Sequence, residues 1–195
     1  MSEKQPNFAE AWSQVPHYRE SERTYQVDIN ARLATDIFSQ ALDHLVIACV
    51  DLVFTDQNHM LLAKRRTYPQ KSWWVIGGRI IAGESPLQAA QRKTEQEAGL
   101  KISEDRYRYI GIYSTCFAHR QQAPQNRGLH SLNITYEVPI DKTEKAQICL
   151  DSTEYDSWQW CTHAEALSQI DPTQGMNQAL LDLLQRVHQQ HELSG

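Results

Sequence analysis

The stretch "GGRIIAGESPLQAAQRKTEQEAGL", residues 77–100, decides how the middle of this 195-residue chain is interpreted. It opens on paired glycines, which are typical of a tight turn. Ser85 is a favourable N-cap, Pro86 suits the first helical position, and Gly99 lies where helices commonly end. The segment therefore predicts a turn followed by a helix. The side chains expected to face the core are Leu87, Ala90, Thr94 and Ala98.

One side of this helix carries an unusual set of charges. Residues three and four positions apart share a helix face, so positions 93, 96 and 97 lie together. Three acids there would offer the oxygen ligands that Mg²⁺ prefers, but the chain has Lys93, Gln96 and Glu97. Their formal charges cancel, which argues against a cluster of several metal ions. A single Mg²⁺ or Mn²⁺ remains feasible, and Lys93 is itself a candidate partner for a phosphate group.

The composition favours a protein that binds neither nucleic acids nor membranes. The formal net charge is −5, which disfavours a polyanion-binding surface. The chain shows neither a signal-like N-terminus nor an apolar run of membrane-spanning length. Its four cysteines follow no metal-binding or disulfide-like spacing, so we expect reduced thiols. These features predict a cytoplasmic protein.

The hydrophobic pattern divides the chain at about residue 33. Residues 1–32 are polar, and we expect an extension that packs on the domain or on the partner subunit of a homodimer. Residues 33–195 alternate strand-like and helix-like segments and form the predicted domain. A helix with Thr35 as a candidate N-cap precedes two hairpin-forming runs, "LVIACVDLVF" and "HMLLAKRR". Two further strands, "YRYIGIYSTCF" and "HSLNITYEVPI", flank a glutamine-rich loop.

The last part of the chain predicts one strand and two helices. The run "YDSWQW" is typical of a short strand, and Thr162 and Glu165 have the spacing of a capping box. A final helix has one apolar stripe, formed by Met176, Ala179, Leu180, Leu183, Leu184 and Val187. Strands on both sides of a helix, closed by a C-terminal helix, predict an α/β fold in which helices sandwich a mixed sheet.

The glycine turn and its helix resemble the Nudix signature, G-x5-E-x7-R-E-U-x-E-E-x-G-U, where U is a bulky aliphatic residue. The residues that match in register are Gly78, Glu84, Arg92, Glu97, Gly99 and Leu100, and those that depart are Lys93, Thr94 and Gln96. The departures are similar to the GDP-mannose mannosyl hydrolase branch, which lacks the same two acids and also has threonine at the position of Thr94. The likeness covers roughly residues 33–168. It implies a Nudix-type α/β/α sandwich with a mixed central sheet and a hydrolase of a nucleoside diphosphate sugar.

The resemblance also implies a set of ligands for one divalent ion. Mg²⁺, with Mn²⁺ as an alternative, would be held by the carbonyl of Gly77 and the carboxylates of Glu97 and Glu154. Glu84 is expected to support the site rather than to bind the ion, since carboxylates favour a helix N-terminus.

Arginines at three positions resemble those that the branch uses around the diphosphate and the leaving group. Arg65 and Arg79 are predicted substrate contacts, because a guanidinium fork matches phosphate oxygens. Arg79 and Arg92 are predicted to take part in catalysis, although a salt bridge to Glu84 would equally explain Arg92. Asp51 is predicted to contact the sugar or a neighbouring arginine, because an aspartate in an apolar strand is costly to bury without a partner.

The general base is the least defined part of the predicted site. The branch has histidine at the position of Tyr155, and a tyrosine with an ordinary pKa near 10 is a poor base at neutral pH. Tyr155 is therefore predicted as a substrate contact. His130 is the predicted base, with His119 and Glu154 as alternatives.

A different class of function is also compatible with these departures. A Nudix domain with altered chemistry would bind a nucleotide-like ligand and act as a sensor or interaction module. Lys93 and Tyr155 motivate this alternative, because both replace residues that the resemblance associates with turnover.

Overall fold

The computed structural model describes residues 14–20, 28 and 33–194 and has a single mixed sheet within that part of the chain. The strands are β1 (Ile47–Asp56), β2 (His59–Arg65), β3 (Trp73–Trp74), β4 (Ile76–Arg79), β5 (Arg108–Phe117), β6 (Leu129–Pro139) and β7 (Tyr155–Thr162). The helices are α1 (Thr35–His44), α2 (Pro86–Ala98), α3 (Lys142–Gln147), α4 (His163–Gln169) and α5 (Asn177–Ser194).

The sheet follows the order β3-β2-β1-β6-β5, with β4 paired to β1 and β7 paired to β2. β1 and β6 run parallel, and the other pairs are antiparallel. Each face of the sheet carries its own apolar cluster, because successive strand side chains point to opposite faces. Leu52 of β1 joins a cluster with Ala90 of α2, whereas Val53 joins one with Leu184 of α5. The predicted α/β sandwich with a mixed sheet is therefore confirmed.

Most of the predicted helix ends are confirmed, and one is wrong. Ser85 accepts a hydrogen bond from the backbone of Gln88, and Gly99 ends α2 in the left-handed conformation at φ 71°. Thr162 caps α4 as predicted. Thr35, by contrast, is the first residue of α1 rather than its cap, and no side chain caps that helix.

The short helix α3 was not predicted from the sequence. Its six residues carry no apolar stripe, and none of them is buried. The helix is specified instead by its start, where Asp141 accepts hydrogen bonds from the backbones of Thr143 and Glu144. The segment has a capping signal but no hydrophobic periodicity, and the periodicity is what predicts a helix from sequence.

Part of the predicted N-terminal extension contacts the domain. The guanidinium of Arg19 donates to the carbonyl oxygen of Gly83 at 2.7 Å, just before α2 begins. The rest of the extension, apart from residues 14–20 and 28, lies outside the described residues. All four cysteines are free thiols, and none of the described helices is both long and apolar enough to cross a membrane.

Arg120 attaches the loop between β5 and β6 to α1. Its side chain is 0% exposed and lies 2.6 Å from Asp43, with a second hydrogen bond of 2.7 Å to Ser39. Arg127 binds the other oxygen of Asp43 at 2.6 Å but is 61% exposed. A buried ion that loses its partner is far more destabilising than a solvated one, so these two arginines contribute unequally.

Replacement of Arg120 by methionine should lower the free energy of unfolding by about 3 kcal/mol, because it leaves buried polar groups without their donor. The matched variant Arg127→Met should cost less than about 1 kcal/mol, because its ion pair is solvated. Urea denaturation of both variants measures the difference. Equal losses would show that the loop is not held by the buried arginine.

Candidate functional site

Six of the predicted site residues line one cleft. The cleft has a volume of about 540 Å³ and is formed by α1, α2, the glycine turn and the strands β1, β2 and β6. The predicted residues along it are Asp51, Arg65, Gly77, Arg79, Glu97 and Glu154. Arg92, His130 and Tyr155 do not line it. The fold thus brings together the residues predicted for the metal and the diphosphate, but only part of the predicted catalytic set.

Glu97 of α2 is buried beneath the cleft surface and is held from two directions. Its residue is only 4% exposed. The ammonium of Lys93, one turn earlier in the helix, lies 2.6 Å from Oε1. The hydroxyl of Tyr155 donates a hydrogen bond to Oε2. Both oxygens of this carboxylate therefore have protein donors.

The paired glycines let the backbone approach β1 and leave room for Lys93. Gly77 pairs with Asp51, and a Cβ added to Gly77 would overlap the carbonyl oxygen of Val50. A Cβ added to Gly78 would lie 2.8 Å from the Lys93 ammonium nitrogen. The first glycine is thus required by a backbone contact, and the second is the surface on which the lysine packs.

This arrangement does not fit the predicted Mg²⁺ site. Glu154, the predicted third ligand, lies 3.3 Å from a guanidinium nitrogen of Arg65. Glu97 is bound by an ammonium and a hydroxyl, as described above. Within residues 14–20, 28 and 33–194, no group of three or more His, Cys, Asp or Glu side chains is arranged to hold a metal ion. The predicted ligands share a cleft, but one carboxylate oxygen of Glu97 and one of Glu154 are already paired with protein cations.

Arg92 connects α2 to the loop that precedes it. Its guanidinium donates two hydrogen bonds to Glu84, at 2.5 and 2.8 Å, and one to the backbone carbonyl of Arg79 at 3.0 Å. Burial favours the neutral form of Glu84, but hydrogen bonds from Arg92 and from the backbone of Ile81 hold the pKa of Glu84 below its ordinary value. The predicted catalytic role of Arg92 is not supported, since the salt bridge to Glu84 explains its position.

Tyr155 lies behind Glu97 and is not a wall of the cleft. Burial raises the pKa of the Tyr155 phenol, and the neighbouring charge of Glu97 raises it further. The hydroxyl therefore remains protonated and donates to Glu97. Its predicted contact with substrate stays a prediction, and the contact that the structure shows is the hydrogen bond to the Glu97 carboxylate.

The two candidate histidines also lie outside the cleft lining. The Nε2 atom of His130 is 2.9 Å from the hydroxyl of Ser114 on the neighbouring strand. His119 stacks on Tyr68, with ring centroids 5.1 Å apart. The prediction of His130 as the general base therefore has no support in the geometry, because its alternating position on β6 directs it away from the cleft.

Asp51 belongs to a buried polar network that the sequence analysis did not identify. The amide nitrogen of Asn133 donates to Asp51 at 3.0 Å and lies 3.4 Å from Thr115, which in turn is 2.8 Å from Ser131. Burial raises the pKa of Asp51 to about 7, although the bond from Asn133 and the charge of Arg65 favour the ionised form. Asn133 and Ser131 alternate along β6 on the face that lines the cleft, and this spacing of two was the available signal.

Aromatic and amide side chains complete the walls. The guanidinium of Arg79 lies over the ring of Phe38, 4.1 Å from its centroid. Trp74 and Phe117 make an edge-to-face contact with centroids 6.3 Å apart. Lining residues that were not assigned from the sequence include Phe38, Tyr68, Gln70, Trp74, Phe117, Gln121, Asn133 and Asp151. The cleft therefore combines cations near the glycine turn with flat apolar surfaces.

A sequence profile of the NUDIX domain matches residues 44–183, which include the strands, the glycine turn and α2. The match covers most of the chain. The chain therefore belongs to the Nudix hydrolase family, and this membership supports the predicted enzyme class, a hydrolase.

Known structures agree with this fold. A MutT NUDIX hydrolase from Burkholderia pseudomallei matches with a TM-score of 0.57 and 18% identity, over 74% of this chain and 99% of that one. The NUDIX domain of Shewanella oneidensis NrtR, complexed with ADP ribose, matches with a TM-score of 0.53 and 17% identity, over 78% and 97% of the two chains. At such identities the likeness shows the fold alone.

One curated relative has higher identity but is a much longer protein. An octanoyltransferase from Myxococcus xanthus is 31% identical over 121 residues, which are 62% of this chain. The chain spans only 31% of that relative's length.

The raised pKa of Asp51 makes its contribution to stability depend on pH. The unfolded chain releases this proton near the ordinary pKa of 3.8 and the folded protein near 7, so the stabilising contribution is complete at low pH and is lost as pH rises through about 7. Asp51→Asn removes this dependence. Between pH 5 and pH 8 the variant should gain about 2–3 kcal/mol relative to the wild type, measured by urea denaturation.

The matched control for this prediction is Asp105→Asn, which makes the same charge change at an exposed residue. It should follow the wild-type pH profile. If the stability of Asp51→Asn followed the same pH dependence as the wild type, the buried carboxyl would have its ordinary pKa and the prediction would be wrong.

Proposed function

We propose that this domain binds a nucleoside diphosphate derivative in the cleft and hydrolyses it, with a nucleoside diphosphate sugar of the GDP-mannose type as the leading substrate class. The observation that carries the proposal is that Arg65, Arg79 and Lys93 all belong to the wall of one cleft. Guanidinium groups match phosphate oxygens in pairs, and an ammonium adds a compact positive charge. A diphosphate is the ligand group that such a wall fits best.

The rest of the cleft suits the other parts of such a ligand. A volume of about 540 Å³ lies within the range of small-molecule sites. Phe38, Tyr68 and Phe117 offer apolar faces for a base or a sugar ring, and Gln121 and Gln122 offer amides for hydroxyl groups. The ligand would therefore span from the glycine turn towards the loop held by Arg120.

Asp51 is the side chain that we assign to proton transfer. It lines the cleft, and its pKa of about 7 places it where a carboxyl group exchanges protons at neutral pH. Asp51 would accept the proton of the attacking water. Arg65 and Arg79 would stabilise the charge that develops on the departing diphosphate. Glu154 is the alternative base, and water labelled with heavy oxygen distinguishes attack at carbon from attack at phosphorus.

The setting of the domain is also part of the proposal. Residues 1–32 would form an extension to a domain of residues 33–195, and the contact of Arg19 with Gly83 supports packing against that domain. Four free thiols favour a cytoplasmic protein. A homodimer would use the extension as part of its interface.

A second function is favoured by one specific contact. The ammonium of Lys93 satisfies the carboxylate that the resemblance assigned to a metal ion. A domain with this change would bind the same class of ligand without turnover and would act as a sensor or interaction module.

A panel of nucleoside diphosphate sugars, ADP ribose and dinucleotides separates the two functions. Each compound is incubated with the protein in Mg²⁺, in Mn²⁺ and in EDTA, with product measured by chromatography and binding by thermal shift. Turnover of any compound supports the hydrolase. Stabilisation without product supports the binding module, and neither result on any compound contradicts both.

For a substrate found in this way, Arg79→Gln should lower kcat/KM by about 10- to 100-fold, because a charge-assisted contact with the diphosphate is lost. The matched control is Arg108→Gln on β5, whose side chain is 63% exposed and does not line the cleft. The control should keep wild-type kinetics. Equal effects of the two changes would remove Arg79 from the proposed diphosphate site.

A further inference from the structure

The position of Lys93 suggests what replaces the metal ion in this cleft. The lysine and Glu97 lie on one face of α2, four residues apart, with 2.6 Å between Nζ and Oε1. The carboxylate side chain is 5% exposed and the lysine side chain 18%. The lysine thus keeps a small exposed portion, whereas its partner is almost completely covered. Lys93 also lines the cleft beside Gly78 and Arg79.

The surroundings of Lys93 hold its ammonium in one place. Glu97 attracts it from the helix side, and the missing side chain of Gly78 leaves the space that its tip fills. An ammonium has three donor hydrogens, and the contact with Glu97 uses one of them. The remaining donors are available to an anion in the cleft. Because the charge is covalently attached to the chain, its presence in the cleft does not depend on the metal concentration.

A divalent ion at the same carboxylate would meet two obstacles. It would have to displace an ammonium and a hydroxyl from Glu97, and it would lie next to the positive charge of Lys93. An anion meets the opposite situation, since the same charge attracts it. The Glu97 carboxylate neutralises the ammonium but is almost completely covered, so the more exposed positive end of the pair is the one that faces a ligand in the cleft.

We infer that Lys93 is the resident cation of the diphosphate site, so that this chain binds the diphosphate of its ligand without a divalent metal ion. The inference rests on the proposed function and specifies how that site recognises its ligand. Glu97 then acts as a positioning residue that orients the ammonium, and Tyr155 orients Glu97. The site selects a diphosphate-containing anion by a protein charge rather than by a bound metal.

Inorganic pyrophosphate is the probe for this inference. In EDTA the wild-type protein should bind it, and Lys93→Met should weaken the Kd by at least about 10-fold, measured by calorimetry. Lys101→Met is the matched control, because that lysine is 83% exposed at the end of α2 and does not line the cleft. The control should bind pyrophosphate as the wild type does.

A double variant distinguishes loss of binding from loss of the fold. Lys93→Met leaves Glu97 without its cation, so the double variant Lys93→Met with Glu97→Gln removes both charges together. The double variant should have a cooperative thermal transition and should still bind pyrophosphate at least about 10-fold more weakly than the wild type. Wild-type affinity in the folded double variant would overturn the inference.

Direct metal binding provides the opposite test. Equimolar Mn²⁺ should keep its free-ion electron paramagnetic resonance signal in the presence of the wild type. Lys93→Glu should reduce that signal, because two carboxylates one helical turn apart offer oxygen ligands. Stoichiometric binding of Mn²⁺ by the wild type, or pyrophosphate binding that needs a metal ion or is absent altogether, would overturn the inference.

These outcomes are separate from those of the substrate panel. Turnover that occurs only with Mg²⁺ would leave the proposed function intact and remove the role of Lys93 as resident cation. Binding of pyrophosphate through Lys93 in EDTA, with no response to any nucleotide of the panel, would support the cation and contradict the proposed function.

Discussion

The buried carboxylate of Glu97 is the constraint on which the rest of this site depends. A carboxylate that is 4% exposed needs a cation or strong hydrogen-bond donors, because the cost of removing its charge from water is otherwise too large. Lys93 supplies the charge and Tyr155 supplies a donor. The Lys93 side chain packs on Gly78, which fixes its position. Burial raises the pKa of Tyr155, so its hydroxyl stays protonated and remains a donor. A single charge in the interior thus binds one side chain of its own helix and one of the distant strand β7.

The part of the cleft around Asp51 depends on contacts between backbones. β4 pairs with β1 so that Gly77 faces Asp51, and only a glycine permits that approach. The same pairing places the Asp51 carboxyl against Gly77, where the charge of Arg65 on β2 also acts on it. Asn133, which lies on the strand parallel to β1, supplies its hydrogen bond. Asp51 and the two arginines of the cleft, Arg65 and Arg79, therefore belong to paired strands, and their separation is set by the sheet rather than by flexible loops.

Local signals predicted the fold well, whereas long-range contacts determined the site. Ser85, Pro86 and Gly99 specify α2 through interactions within a few residues, and the structure has them in those roles. The sequence also identified Glu97 and its neighbour Lys93 on one helix face. It could not show that Tyr155, 58 positions later, would bind that carboxylate, because nothing local encodes the contact. His130 was predicted as the base, but its side chain does not line the cleft for a related reason: its direction depends on the register of β6 with β5, which one residue of slip would reverse.

The charges of the cleft are arranged before any ligand arrives. Lys93 is held by Glu97, Arg65 by Glu154, and the guanidinium of Arg79 lies over the ring of Phe38. Ordering long cationic side chains at the moment of binding costs conformational entropy, and contacts already made in the folded protein reduce that cost. The carboxylates of the lining offset the charges of these cations, so the proposed attraction of an anion depends on where the cations lie and not on a net positive charge. In the proposed site, the acid at position 97 of this Nudix domain holds the ammonium of Lys93, which the residue one helical turn earlier supplies.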